Sequence, residues 1–209
     1  MDYQAKRIFL FEIQSQAQMS LNAIKALANV HNRMKDAAAD PRGNTVVMHA
    51  EHFRTVHSFL THLSNVSRLI WPPAFTGKKK QCFCNKTCDA RACRHCVARS
   101  RAETIQEALG LTGENHVLKS RTLRDHLEHF DERLDEWEQN SPNRNFVQDY
   151  IGPRGGIGGI AESDMMRQLD PQTGDFIFRG EIFSLVALAD GANDILRRTD
   201  MAVARGELM

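Results

Sequence analysis

One run of the sequence combines the residue types of an acid–base site. The run "SRTLRDHLEHFDERLDEWEQN", from Ser120 to Asn140, sets two histidines and three arginines among many acidic residues. A histidine with its usual pKa of about 6.5 can exchange a proton at neutral pH, and an arginine fork can neutralise charge on phosphoryl oxygens. Side chains of these two types, held close together, are suited to acid–base chemistry on an anionic substrate, and a charged helix face is the alternative.

Helical spacing sorts the polar side chains of this run into separate stripes. Arg121, Asp125 and His129 recur at every fourth residue and share one stripe. Arg124 and Glu128 form the neighbouring stripe as an i,i+4 pair. Charged stripes are usually solvated, and each ion pair contributes only ~0.2–0.5 kcal/mol. A solvated face and a catalytic face are therefore both open at this point.

An apolar seam runs along the other side of the same segment. Its members step by four, three, four and three residues: Leu123, Leu127, Phe130, Leu134 and Trp137. This spacing predicts a single short helix that buries the seam against the core. His126 lies at the edge of the seam, where we expect it to form a hydrogen bond at the core boundary.

Two long helices are predicted before this segment. The first has apolar residues at steps of three and four from Leu10 to Ala28, and the Pro and Gly of 40–44 end it. The second shows the same spacing from Phe53 to Ile70, and Trp71-Pro72-Pro73 ends it. The second helix also carries four histidines, but too few ligands converge there to predict a metal site. These four are His49, His52, His57 and His62.

The rest of the chain completes a mainly α bundle with one small hairpin. A short helix is expected around 102–109, and a last helix is expected to turn Ile182 and its apolar successors inward. Turn residues at 170–175 predict a β-hairpin over 164–179. The glycine-rich loop at 152–159 lacks a following Lys-Ser/Thr, a preceding strand and a following helix, so we do not interpret it as a phosphate loop. We expect one domain over residues 1–209.

All five cysteines lie in an insertion expected at 74–101. The run "CFCNKTCDARACRHC" spaces them C-x-C-x3-C-x4-C-x2-C. Clustered thiolates in a reduced compartment favour structural zinc, although free thiols are the alternative. The four predicted ligands are Cys84, Cys88, Cys93 and Cys96, and Cys82 could replace any of them. Four thiolates leave no open coordination position, so this zinc would have no catalytic role.

Charge is distributed unevenly along the chain although the formal net charge is only +1. The cysteine-rich insertion has eight Lys/Arg against one acid from Lys78 to Arg101, which could hold a phosphate backbone or simply be solvated. From Arg124 to Glu138 there are seven acids against two arginines, a balance that repels phosphate. A phosphate ligand there would need positive charge from the insertion or from a second copy of the chain.

The sequence carries no signal of a membrane protein. No apolar run approaches the ~18 residues that span a bilayer. The N-terminal run "MDYQAKRIFLFEIQ" is amphipathic and acid-containing, so it lacks the features of a signal peptide. We therefore expect a cytoplasmic protein without a membrane partner.

The run "RDHLEH", Arg124 to His129, resembles the R-x4-6-H motif of the HEPN superfamily, in which a polar residue follows the arginine. The longer run through Trp137 is similar to a core found in bacterial HEPN-like proteins. The resemblance covers about Phe53 to Trp137 without the cysteine-rich insertion. It implies a HEPN-like helical bundle, and neither the insertion nor the hairpin belongs to its general pattern.

The resemblance implies a metal-independent endoribonuclease that leaves 2′,3′-cyclic phosphate ends. Such proteins are often toxins or defence components with a cognate antitoxin, and they form homodimers in which two motifs share a cleft. The resemblance assigns Arg124 to charge stabilisation, His129 to acid–base catalysis and Asp125 to orienting either group, with no catalytic cofactor. A second pair, Arg121 and His126, ranks lower because Thr follows its arginine.

The HEPN superfamily also contains binding modules without catalytic activity. The alternative is therefore a non-catalytic interaction or regulatory protein with structural zinc. The two hypotheses differ in where Arg124 and His129 lie. A nuclease needs both side chains in a cleft that is open to solvent, whereas a structural segment would hold them in local ion pairs with Glu128 and Glu132.

Overall fold

The computed structural model describes residues 1–39, 45–72, 93–120, 122–141 and 144–205. Over these ranges the chain is mainly helical and contains one four-stranded sheet. The helices are α1 (Tyr3–Ala39), α2 (Thr45–Ile70), α3 (Arg94–Ala108), α4 (Thr122–Glu128), α5 (Phe130–Asn140) and α6 (Leu185–Ala204). The strands are β1 (Val147–Ile151), β2 (Met165–Asp170), β3 (Asp175–Phe178) and β4 (Glu181–Ser184). None of the helices in the described ranges is both long and apolar enough to cross a membrane.

The core lies between α1, α2 and α6, as the apolar periodicity predicts. The predicted positions of α2 from Phe53 to Ile70 are all buried, and those of α1 are buried from Leu10 to Leu21. The prediction was wrong at the end of the α1 face, because Ile24 is only partly buried and Ala28 is exposed. Burial of each such side chain stabilises the fold by about 1.5–3 kcal/mol. The inner face of α6 is also confirmed from Leu185 to Ile195, but Ile182 was placed wrongly. Ile182 lies in β4 and is 49% exposed.

The predicted hairpin is confirmed and forms part of a larger sheet. β2 and β3 pair antiparallel, with Leu169 opposite Phe176. β4 adds antiparallel to β3, and β1 adds parallel to β2. The expectation that no strand precedes the glycine-rich loop is therefore wrong, because β1 leads into it. The loop is followed by a 3-10 turn at Glu162–Asp164, so the strand–loop–helix arrangement of a phosphate loop is still not formed.

The third helix begins earlier than the sequence predicts and is fixed to the end of α2. It starts at Arg94, inside the segment expected to be an insertion. Arg101 Nη2 donates to the Arg68 carbonyl at 3.3 Å, and Gln106 Nε2 donates to the Ile70 carbonyl at 2.8 Å. These two bonds satisfy carbonyls in the last turn of α2, which have no donor within the helix.

The acidic segment forms two helices where one was expected. α4 ends at Glu128 and α5 begins at Phe130, and His129 between them has φ −115° and ψ 39°, outside the helical region. Leu123 and Trp137 at the two ends of the apolar seam are buried. The three seam residues between them are only partly buried against the core. The break therefore lets both ends of the segment reach the core.

Candidate functional site around Arg124

Arg124 points into the protein interior, although the sequence places it on a polar stripe. Its exposure is only 3%. Nη1 donates to the Trp71 carbonyl at 3.3 Å and to Ser67 Oγ at 3.4 Å. Trp71 follows the last residue of α2, where carbonyls lack donors from the helix itself. The arginine thus caps the C-terminal end of α2 and attaches α4 to it.

The predicted i,i+4 pair of Arg124 and Glu128 is confirmed, but the carboxylate is shared. Arg124 Nε lies 3.6 Å from Glu128 Oε1. Arg68 on α2 lies closer, with Nη2 at 2.5 Å and Nε at 2.9 Å from the same oxygen. Two guanidinium groups therefore share one carboxylate at the contact between α4 and α2.

His129 lies on the opposite side of this segment from the buried arginine. Its Nδ1 is 3.1 Å from Glu132 Oε1, and the two side chains are 50% and 63% exposed. An exposed pair of this kind contributes about 0–1 kcal/mol. Asp125, the third predicted site residue, is partly buried in α4. Within one chain, Arg124 is thus directed inward and His129 outward. Arg124 lies within 4 Å of Glu128 and His129 lies within 4 Å of Glu132, the two ion pairs expected if the segment is structural.

His126 occupies the boundary position that the sequence predicts. Its ring stacks on Phe178 of β3 with the ring centroids 4.9 Å apart. Its Nε2 lies 3.1 Å from Oε2 of Glu181, the first residue of β4. The side chain is only 12% exposed. His126 therefore packs α4 on the sheet, and its partner in the second R-x4-H pair, Arg121, lies outside the described residues.

Three of the five candidate zinc ligands also lie outside the described residues. These are Cys82, Cys84 and Cys88. Cys93 immediately precedes α3 and Cys96 lies in its first turn, and both are partly buried. In the part of the chain that the structure describes, no cluster of three or more His, Cys, Asp or Glu side chains could hold a metal ion. The zinc site stays a prediction.

A charged cluster that the sequence did not reveal joins α2 to the sheet. Arg167 on β2 pairs with Asp149 on β1, with Nε–Oδ1 at 2.7 Å and Nη2–Oδ2 at 3.1 Å. Its Nη1 lies 3.1 Å from His57 Nε2, and its guanidinium lies over the rings of Phe53 and Phe130. Burial, and next the charge of Arg167, lower the pKa of His57, while Asp149 acts in the opposite direction. The lowered pKa favours the neutral ring of His57, which can accept the hydrogen bond of Arg167 at Nε2.

No family model, no curated protein and no solved structure matches this chain. The resemblance to the HEPN superfamily rests on the R-x4-H motif and the run that follows it, and it stays a prediction.

Proposed function

We propose that this protein is a non-catalytic interaction or regulatory protein in which the segment from Arg124 to His129 serves the fold. The observation that carries the proposal is the burial of Arg124, which is 3% exposed and donates to the Trp71 carbonyl. A catalytic arginine must reach the charge that develops on the substrate. The guanidinium of Arg124 is instead directed at groups of the fold itself, the Trp71 carbonyl and the Ser67 hydroxyl.

The surroundings of His129 support the same proposal. Its imidazole is paired with Glu132 at 3.1 Å, and Asp131 beside it is also exposed. The segment from Arg124 to Glu138 carries seven acids against two arginines. Exposed acids at this density repel a phosphate backbone, with screening over only about 8 Å at physiological salt.

A HEPN-type endoribonuclease is the second candidate. It is favoured by the half-exposed imidazole of His129 at the break between α4 and α5, where a ribose 2′-OH could approach it. In this alternative, a homodimer would pair two such histidines, Asp125 would orient them, and Arg124 would have to leave the interior. The basic insertion would supply the charge that attracts RNA, and a cognate antitoxin would be its partner.

Incubation with RNA in the presence of a chelator distinguishes the two candidates. We compare the wild type with His129→Ala and with His49→Ala, a histidine substitution on α2 outside the predicted insertion. The proposal predicts no cleavage above the level of a protein-free control in any of the three. Cleavage by the wild type that leaves 2′,3′-cyclic phosphate ends, is lost in His129→Ala and is kept in His49→Ala would establish the ribonuclease instead.

A further inference from the structure

A cavity of about 210 Å³ is lined in part by Arg124. It is bounded by α2, α4, β4, the first turn of α6 and the 3-10 turn at Val117–Lys119. Its polar lining residues are one arginine and four serines: Arg124, Ser64, Ser67, Ser120 and Ser184. The other lining residues are all apolar. The cavity thus combines an apolar body with a single cationic group.

The charges around the cavity favour an anion. Arg124 is 3% exposed, and its Nη1 lies 3.4 Å from the hydroxyl of Ser67, which also lines the cavity. Charged groups in the interior are stabilised by charges of opposite sign and by hydrogen bonds. The carboxylate of Glu128 lies closer to Arg68 than to Arg124, and Arg68 does not line the cavity, so Arg124 is the cation that an anion in the cavity would meet.

The start of α6 adds to the same preference. Ser184 caps this helix by accepting a hydrogen bond from the Ala187 amide at 3.3 Å, and both residues line the cavity. The N-terminal end of a helix of this length carries a partial positive charge. The charge of the Arg124 guanidinium and the partial positive charge at the start of α6 therefore both favour an anion in the cavity.

The volume and lining indicate the size and charge of the occupant. An engineered apolar cavity of roughly 150 Å³ in another protein binds benzene. A cavity of about 210 Å³ therefore accommodates a group of that size together with a small charged head. A phosphate monoester carries about −1.5 to −2 charges, more than one guanidinium neutralises, whereas a carboxylate carries one.

We propose that this cavity binds a small organic monoanion, a carboxylate attached to an apolar group about the size of a benzene ring. The carboxylate lies at Arg124 and the apolar group fills the space between α2 and α6. This inference rests on the proposed function, because it requires Arg124 to serve binding and not cleavage. Occupancy fixes α4 against α6, so a ligand of this class would regulate the packing of the acidic segment.

Isothermal titration calorimetry of the full chain tests the ligand class with three probes. Benzoate supplies the proposed chemistry, benzamide has the same shape without the charge, and inorganic phosphate supplies charge without the apolar group. Hydrogen bonds to charged groups are strong enough that benzoate is expected to bind at least about tenfold more tightly than benzamide. Phosphate is expected to bind more weakly than benzoate. Equal affinities for benzoate and benzamide, or tighter binding of phosphate, would overturn the proposal.

Two variants place the binding in this cavity. Ala187 is exposed and lines the cavity, so Ala187→Phe is expected to fold and to occupy the space, with a loss of benzoate affinity of at least about tenfold. Ala204→Phe makes the same change at an exposed position of the same helix and is expected to bind benzoate as the wild type does. Unchanged affinity in Ala187→Phe would overturn the proposal.

The variant Arg124→Met is expected to reduce benzoate binding to the benzamide level. Because this substitution could also unfold the protein, the Ala187→Phe result decides the question by itself. The RNA assay separates the two proposals. A chain that neither cuts RNA nor binds benzoate refutes the cavity alone, whereas RNA cleavage that depends on His129 refutes the proposed function.

Discussion

Replacing the buried arginine of α4 by a residue of similar length is expected to destabilise the fold. Arg124→Met removes the donor to the Trp71 carbonyl at 3.3 Å and to Ser67 Oγ at 3.4 Å. Hydrogen bonds from charged groups contribute about 1.5–3 kcal/mol each, and bonds of this length lie at or below the lower end. The contact with Glu128 adds little because Arg68 shares it.

Part of this loss of stability is offset, because folding desolvates a charged side chain in the wild type but an uncharged one in the methionine variant. We therefore expect the free energy of unfolding to fall by about 2 kcal/mol. Urea unfolding followed by circular dichroism measures the change. With a slope of about 2 kcal/mol per M, the midpoint should fall by about 1 M while the slope stays the same.

The matched control is Arg54→Met, which removes an arginine of α2 that is 64% exposed and paired with Glu51. An exposed pair contributes at most about 1 kcal/mol, so the midpoint should change little. Equal midpoints for the two variants, or a higher midpoint for Arg124→Met, would refute the structural role. Arg124 would then return to the candidates for chemistry, since substitution of a functional residue often leaves stability unchanged or increased.

Two further changes test protonation and packing. Because the pKa of His57 is lowered in the folded state, the unfolded chain protonates this histidine at a higher pH than the folded chain does. The free energy of unfolding should therefore fall as the pH drops below about 6.5. Urea unfolding between pH 7 and 5 should show this fall, and an equally steep fall in His57→Gln would contradict it. In Gly191→Ala the new Cβ would lie 2.5 Å from Val117 Cγ1. The free energy lost through overpacking, about 1–3 kcal/mol, should outweigh the about 1 kcal/mol gained from the higher helix propensity of alanine. The melting temperature of Gly191→Ala should therefore fall. In the control Gly158→Ala, the new Cβ would meet no atom within 4 Å, so this variant should melt as the wild type does.

The helices were predictable because burial imposes a period on the sequence. The positions of α2 from Phe53 to Ile70 repeat at steps of three and four and are all buried. The break at His129 was not predictable from this period, since the apolar steps continue without interruption across it. β1 and β4 were missed because strands of five and four residues show little alternation, whereas β3, also of four residues, was indicated by the turn residues before it. Ile182 was assigned to the last helix for that reason.

The candidate site was predictable only where its contacts are local. The pairs of Arg124 with Glu128 and of His129 with Glu132 follow from helical spacing. The burial of Arg124 does not, because it depends on the carbonyl of Trp71, 53 residues away. Trp71-Pro72-Pro73 indicated where α2 ends, but not which side chain would satisfy its last carbonyls. The cluster of Arg167 was missed because it needs the register of strands that the sequence did not predict.

The parallel pairing of β1 with β2 divides the sheet into parts that are expected to form at different times. β2, β3 and β4 are joined by short turns at 171–174 and 179–180, so they can pair within microseconds as a local meander. β1 can join only after the chain from 152 to 164 has closed back on β2, which carries a larger entropic cost. The strand that leaves the ribosome first is therefore expected to be the last to dock. The ion pair of Arg167 and Asp149 is then expected to form late in folding, when β1 docks on β2.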